Sequence, residues 1–148
     1  MEELNLNVSQ KRYIRASLLS FERALRWIYQ LLTSEEEGIL FHRDVRLDAE
    51  DRKQILCKID KAFTIIKETA RRFNLEVFEE NIEREILAEM SISWENLEEC
   101  RSKRVKGYGD LSSNAAELID KTITELVEIN LDLLETAEKD IKRNRRKK

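Results

Sequence analysis

The stretch SQKRYIRASLLSFERALRWIYQLLT, residues 9–33, decides the fold class. Ile14, Leu18, Phe21, Leu25, Ile28 and Leu32 recur at alternating steps of four and three, which keeps one apolar row on one side of a helix. Ser17, Ala24 and Leu31 widen that row by one position, and no glycine or proline interrupts it. Asn7 or Ser9 can cap the start, because a short side-chain oxygen accepts from a first-turn N–H that has no partner within the helix. Gly38 lies just past the end. The spacing predicts a helix of about 25 residues.

The same arithmetic repeats outward. Asp48 offers a cap for a second helix, which carries Leu56, Ile59, Phe63, Ile66, Ala70 and Phe73 and ends at Asn74, a residue that tolerates the left-handed conformation. In the third pattern Phe78, Ile82, Ile86, Met90, Trp94 and Leu97 are mostly four apart, so the row drifts around the helix and leaves Leu87 and Ile92 off it. That helix is expected to reach Gly107 as its cap, with Lys103, Arg104 and Lys106 near the negative pole of its dipole. The fourth opens at Ser112, Ser113 or Asn114, where Asn114 with Glu117 fits a variant of the capping box. It carries Ala115, Ile119, Ile123, Leu126, Ile129, Leu133 and Ala137 to Ile141.

Four helices of about 25 to 32 residues, rising about 1.5 Å per residue, are matched in length. The expectation is an all-α fold: a four-helix bundle, up-down-up-down and antiparallel, with a longer connection between helices 1 and 2. That connection contains Ile39, Leu40, Phe41, Val45 and Leu47 and is too apolar for a free loop. It is expected to lie across the bundle end or to pair with another subunit. Residues 1–138 read as a single helical-bundle domain, and 139–148 as a basic tail continuing or fraying from helix 4.

The composition agrees: among 148 residues, 39% are charged and 41% hydrophobic, with no proline and three glycines, the balance of amphipathic helices with charged outer faces. No run approaches the roughly 18 to 20 apolar residues that cross a bilayer, and the opening MEELNLNVSQKR has neither an apolar core nor a cleavage-like site. No membrane contact and a cytoplasmic location are therefore expected. The single histidine, His42, lies outside the helices, so the paired Glu-x-x-His motifs of di-iron bundles are missing. Glu79 with Glu83, and Glu85 with Glu89, share helix faces, but Arg84 and other bases interleave them as in an ordinary solvated face. If helices 2 and 3 fold back near residue 75, Cys57 is level with about residue 94, about 9 Å along the axis from Cys100 and beyond disulfide reach. Both then read as small, partly buried thiols. There is no phosphate-binding loop, nucleophile elbow or dinucleotide fingerprint. No catalytic residue, cofactor or metal is expected, and the chain does not read as an enzyme.

Surface features carry the remaining expectations. Trp27 and Tyr29 flank Ile28 and point to the sides of the first row, which makes them, with Ile39, Leu40 and Phe41, candidate protein-interface residues; side packing within the chain accounts for the two aromatics equally. Tyr108 sits among Lys103, Arg104, Lys106, Gly107 and Gly109, a mixture of cations and an aromatic that suits a polyanion, although helix capping explains the same residues. Lys139, Lys142, Arg143, Arg145, Arg146, Lys147 and Lys148 against Asp140 give the tail a charge of +6, leaving −9 on residues 1–138 of a chain whose total is −3. Such a tail binds polyanions, folds back on the protein's own carboxylates, or simply frays as a helix end. The leading expectation is a non-catalytic helical interaction module that forms a homodimer or binds a protein partner. The alternative is a nucleic-acid-associated accessory protein making weak, non-specific contacts through the tail and Tyr108.

Overall fold

The computed structural model describes residues 5–146, with side chains described as far as Arg143. The regular structure among these residues is helical: α1 (Val8–Thr33), α2 (Ala49–Arg72), α3 (Ile82–Glu98), the single turn α4 (Ser102–Val105), a 3₁₀ turn (Lys106–Tyr108) and α5 (Ser113–Arg146). The all-α expectation therefore holds. The chain divides into two compact units, Met1–Phe78 and Glu79–Lys148.

In the first unit α1 and α2 run antiparallel. Arg15 near the start of α1 pairs with Glu76 just past α2 at 3.6 Å, and the Arg26 guanidinium stacks 4.7 Å from the centre of the Phe63 ring. At the other end Arg52, in the first turn of α2, donates from Nε (2.9 Å) and Nη2 to the Leu32 carbonyl, satisfying an oxygen that the end of α1 leaves unpaired. Local chemistry fixes the helix ends. Asn7 and Gln10 form a reciprocal capping box, Asn7 Oδ1 accepting from the Gln10 N–H at 2.8 Å and Gln10 Oε1 from the Asn7 N–H at 3.0 Å. Asp48 accepts from the Asp51 N–H at 2.8 Å. Asn74 takes φ 50°, which lets the Leu75 N–H reach the Ala70 carbonyl at 2.9 Å and the Asn74 N–H reach Arg71 at 3.2 Å, a Schellman closure.

In the second unit α3 and α4 lie antiparallel to α5, with Met90 beside Asn130, Arg101 beside Thr124 and Ser102 beside Asp120. Here both ends of α3 differ from expectation, while the turn into α5 falls where it was expected. α3 begins at Ile82, not Phe78, because Asn81 caps it by accepting from the Arg84 N–H at 3.0 Å, and the residues between Asn74 and Asn81 are non-helical. The helix does not run on to Gly107 either. It stops at Glu98, Arg101 turns extended (ψ 151°), and Asp120 on α5 caps the short α4 from outside. The reversal before α5 falls at Gly109, with φ 153°, and Ser112 caps α5 by accepting from the Ala115 N–H at 3.1 Å.

The buried apolar side chains are Leu25, Leu32 and Ile59 in the first unit and Ile123, Val127 and Ala137 in the second. Each large one contributes roughly 1.5 to 3 kcal/mol. Which rows they belong to differs from the reading of the sequence. On α1 the row turned to α2 is Leu18, Leu25 and Leu32, whereas Phe21 and Ile28, beside that row, are exposed. On α5 the row turned to α3 is Ile123, Val127, Asn130 and Ala137, whereas Leu126, Ile129 and Leu133 are exposed. On α3, Leu87 is half-buried with Met90 and Leu97, while Ile82, Ile86 and Trp94 are more open.

Candidate functional site

The two longest helices each carry two adjoining apolar rows, of which the hairpin uses one. On α1 the packed row stands beside a second row of Ser17, Phe21, Ala24 and Ile28; on α5 the packed row stands beside Thr122, Leu126, Ile129 and Leu133. Both second rows keep steps of three and four, and at about 100° per residue both lie on the same side of the packed row. Phe21, Ile28, Leu126, Ile129 and Leu133 are between 40% and 58% exposed. Apolar side chains left open in a periodic row form a continuous strip, and a strip of this kind marks a contact surface more than scattered single residues do.

A second apolar feature lies in the connection between α1 and α2. Ile39 and Leu40 are 99% and 96% exposed at the tip of a turn closed by the Gly38 N–H donating to the Phe41 carbonyl at 3.1 Å. Phe41 packs its ring directly over Gly38, where a Cβ would overlap it, and the Arg43 guanidinium lies 5.9 Å from the ring centre. The following residues, Val45 to Leu47, line a shallow groove with Leu31 and Leu32 at the end of α1. Trp27 and Tyr29 do not share a face: two residues apart on a helix is about 200° of rotation. Tyr29 falls on the side of α1 that faces α2, whereas Trp27 points away and is more exposed.

The most highly connected polar cluster joins α4 to α5. Asp120 accepts from the Ser102 N–H at 2.9 Å and from its hydroxyl at 2.7 Å, and Ser102 is buried. Arg101 forks onto Glu98 at 2.7 and 3.0 Å and donates to Thr124 Oγ1 at 3.1 Å. The Ser102 hydroxyl, then its backbone N–H, holds the Asp120 carboxyl below its ordinary value, with Arg101 and Lys106 adding in the same direction. The hydrogen bond from Arg101 does the same for Glu98, and Glu98 raises Arg101 in turn. The Asp120 carboxylate thus takes both the backbone N–H and the hydroxyl of Ser102 and caps α4 from a neighbouring helix.

The basic features expected to act together are separated. Tyr108 is 96% exposed, beside exposed Lys103, Arg104 and Lys106, at the N-terminal end of α5. Lys142 and Arg143 are exposed near the other end. Lys142 lies twenty-nine residues along the helix from Ser113, about 44 Å. Arg145 and Arg146 belong to α5, but their side chains, like all of Lys147 and Lys148, lie outside the described residues.

His42 sits in the α1–α2 connection with Nδ1 3.8 Å from Glu37. Cys57 on α2 and Cys100 in the turn between α3 and α4 are free and exposed, not partly buried. Among the described residues no group of three or more His, Cys, Asp or Glu could hold a metal ion, and no helix is long and apolar enough to cross a membrane. The reading of the sequence missed Val127, Asn130 and the Ser102–Asp120 cap; only the step of seven from Ile123 to Asn130 and from Asn130 to Ala137 signalled the buried α5 row. Compared with protein-family models, curated proteins and solved structures, the chain matches none.

Proposed function

We propose that the protein is a non-catalytic helical interaction module whose work is to present apolar helix faces to a protein partner, itself included. The observation that carries this reading is the second, open apolar row on both α1 and α5. A helix in a four-helix bundle touches two neighbours and needs two adjoining rows, whereas a hairpin uses only one. Each hairpin is thus built as half of an up-and-down four-helix bundle, and a partner hairpin completes it. Light scattering after size exclusion tests the reading, on the full chain and on a chain ending at Glu138, at low and high salt. The expected result is a complex heavier than 17.6 kDa that survives both salt and truncation, since apolar burial is not screened. A folded monomer that offers no apolar surface to a reporter dye would refute it.

A second reading, a polyanion-binding accessory protein, is favoured by the exposure of Tyr108 beside three bases and of Lys142 and Arg143. Nucleic acid co-eluting with the full chain at low salt, and lost on removal of residues 139–148, is its expected signature.

A further inference from the structure

We propose that Met90 is an oxidation site of the folded protein, converted to its sulfoxide by peroxides, and that Asn130 is the residue by which α5 accepts the oxidised side chain. Met90 is half-buried, on the same side of α3 as the half-buried Leu87 and Leu97, so it is not sealed from a small oxidant. Asn130 faces it from α5. The Asn130 Nδ2 lies 3.7 Å from the Met90 sulfur, the residue is only 4% exposed, and its Oδ1 has no hydrogen-bond partner among the described residues. A thioether is a weak acceptor, so in the reduced protein this buried amide has one poor partner and no good one.

The oxidised side chain is the better match. The sulfur uses a lone pair to attack one peroxide oxygen; the S–O bond forms as the O–O bond breaks, and the proton on the transferred oxygen moves to the departing hydroxide, which leaves as water. Sulfur is oxidised and the peroxide is reduced, with no other reactant consumed. The product is a polar side chain with a strong acceptor and no donor, which ordinarily disrupts an apolar helix contact. Here a donor is already in place. An oxygen bonded to a sulfur that lies 3.7 Å from Nδ2 comes within the ordinary N–H···O range. The rotatable bonds of the flexible methionine side chain let the oxygen of either sulfoxide epimer turn toward α5. The weak contact to sulfur then becomes a full hydrogen bond.

An apolar residue at position 130 would suit reduced Met90 better, but it would leave the sulfoxide oxygen buried without a donor, at the full cost of an unpaired acceptor. Asn130 is thus unfavourable in one redox state and favourable in the other. That is the arrangement by which a modified methionine can be held without unfolding the α3–α5 pair.

Peroxide treatment of the full chain tests this, in a background with Cys57→Ser and Cys100→Ser so that the two exposed thiols do not compete. Mass spectrometry of peptides locates the added oxygen; Met1 is the other methionine in the sequence, and its oxidation is common to every variant compared. Urea melts before and after oxidation are run with Asn130 and with Asn130→Leu. The folding constant should fall at least about tenfold more on oxidation with leucine than with asparagine, since leucine leaves the new acceptor unpaired. Met90→Leu should remove the response to peroxide. The side-chain NH₂ signals of Asn130 in nitrogen-edited NMR spectra should also move downfield when Met90 is oxidised, a readout that does not depend on how any variant folds. An equal loss in the two backgrounds, Asn130 signals that stay in place, or a native chain that unfolds on oxidation overturns the proposal. So does a Met90 that stays reduced in the folded chain while free methionine in the same solution is oxidised.

Discussion

Asn130→Leu should stabilise the protein. Asn130 is 4% exposed in the row that α5 turns to α3, and its Oδ1 is buried without a hydrogen-bond partner, while its Nδ2 has only the Met90 sulfur at 3.7 Å. A buried acceptor left unpaired costs about 1 to 3 kcal/mol, and a sulfur contact returns little of it. Leucine places two methyl groups where asparagine has its oxygen and nitrogen, so it removes the penalty with little change of branching. It also restores the apolar step between Val127 and Leu134. The net gain is about 1 to 3 kcal/mol, which for a unit of this size raises Tm by at least about 4 °C. Urea melts at one fixed protein concentration read it as a higher midpoint with an unchanged slope. An unchanged or lower midpoint would show that Oδ1 has a partner in the folded protein, and the argument from its isolation would fall. The retention of such a residue fits a role in register, since a single polar side chain in an apolar row disfavours shifted pairings.

Other outcomes follow from burial and capping. Ile59→Ala should cost about 2 to 5 kcal/mol in denaturant melts, whereas Ile65→Ala on the same helix should stay within about 0.5 kcal/mol, since only Ile59 is buried. Equal costs would mean that the packed face of α2 is misassigned. Asn7→Ala should remove about 1 kcal/mol through loss of the capping box, and amide exchange in the first turn of α1 should quicken. Asp120 has a folded pKa below its unfolded value, so its contribution is present above the ordinary aspartate range and is lost as pH falls through the depressed value. Amides at Ser102 to Val105 should therefore lose protection on acidification before those in the middle of α5, and Asp120→Ala should remove that protection at neutral pH. Protection that is indifferent to both changes would mean that α4 is held by something other than this carboxylate.

α1 and α5 each carry an apolar row that stays exposed, and the chain concentrates bases on α1 and α2 and acids on α3 and α5.

The sequence by itself determined the helical class and those ends that depend on neighbours a few residues away. Asn7, Asp48 and Asn74 act through their own side chains or backbone angle on amides within one turn, and all three were readable. The start of α3 was equally local: Asn81 followed by Glu83 and Glu85 is a capping signal, masked because Phe78 and Ile82 happen to continue the helical step. The tertiary structure alone decided the rest. The helix breaks at Cys100 and Arg101 because Asp120, eighteen residues further on, takes the Ser102 amide and hydroxyl, a partner that periodicity cannot announce. The choice between adjoining rows on α1 and α5 is of the same kind. Leu126, Ile129 and Leu133 are more apolar than a row containing Asn130, yet the Asn130 row is the buried one. A periodic pattern states how wide an apolar face is. Which part of that face is covered depends on where the neighbouring helix lies.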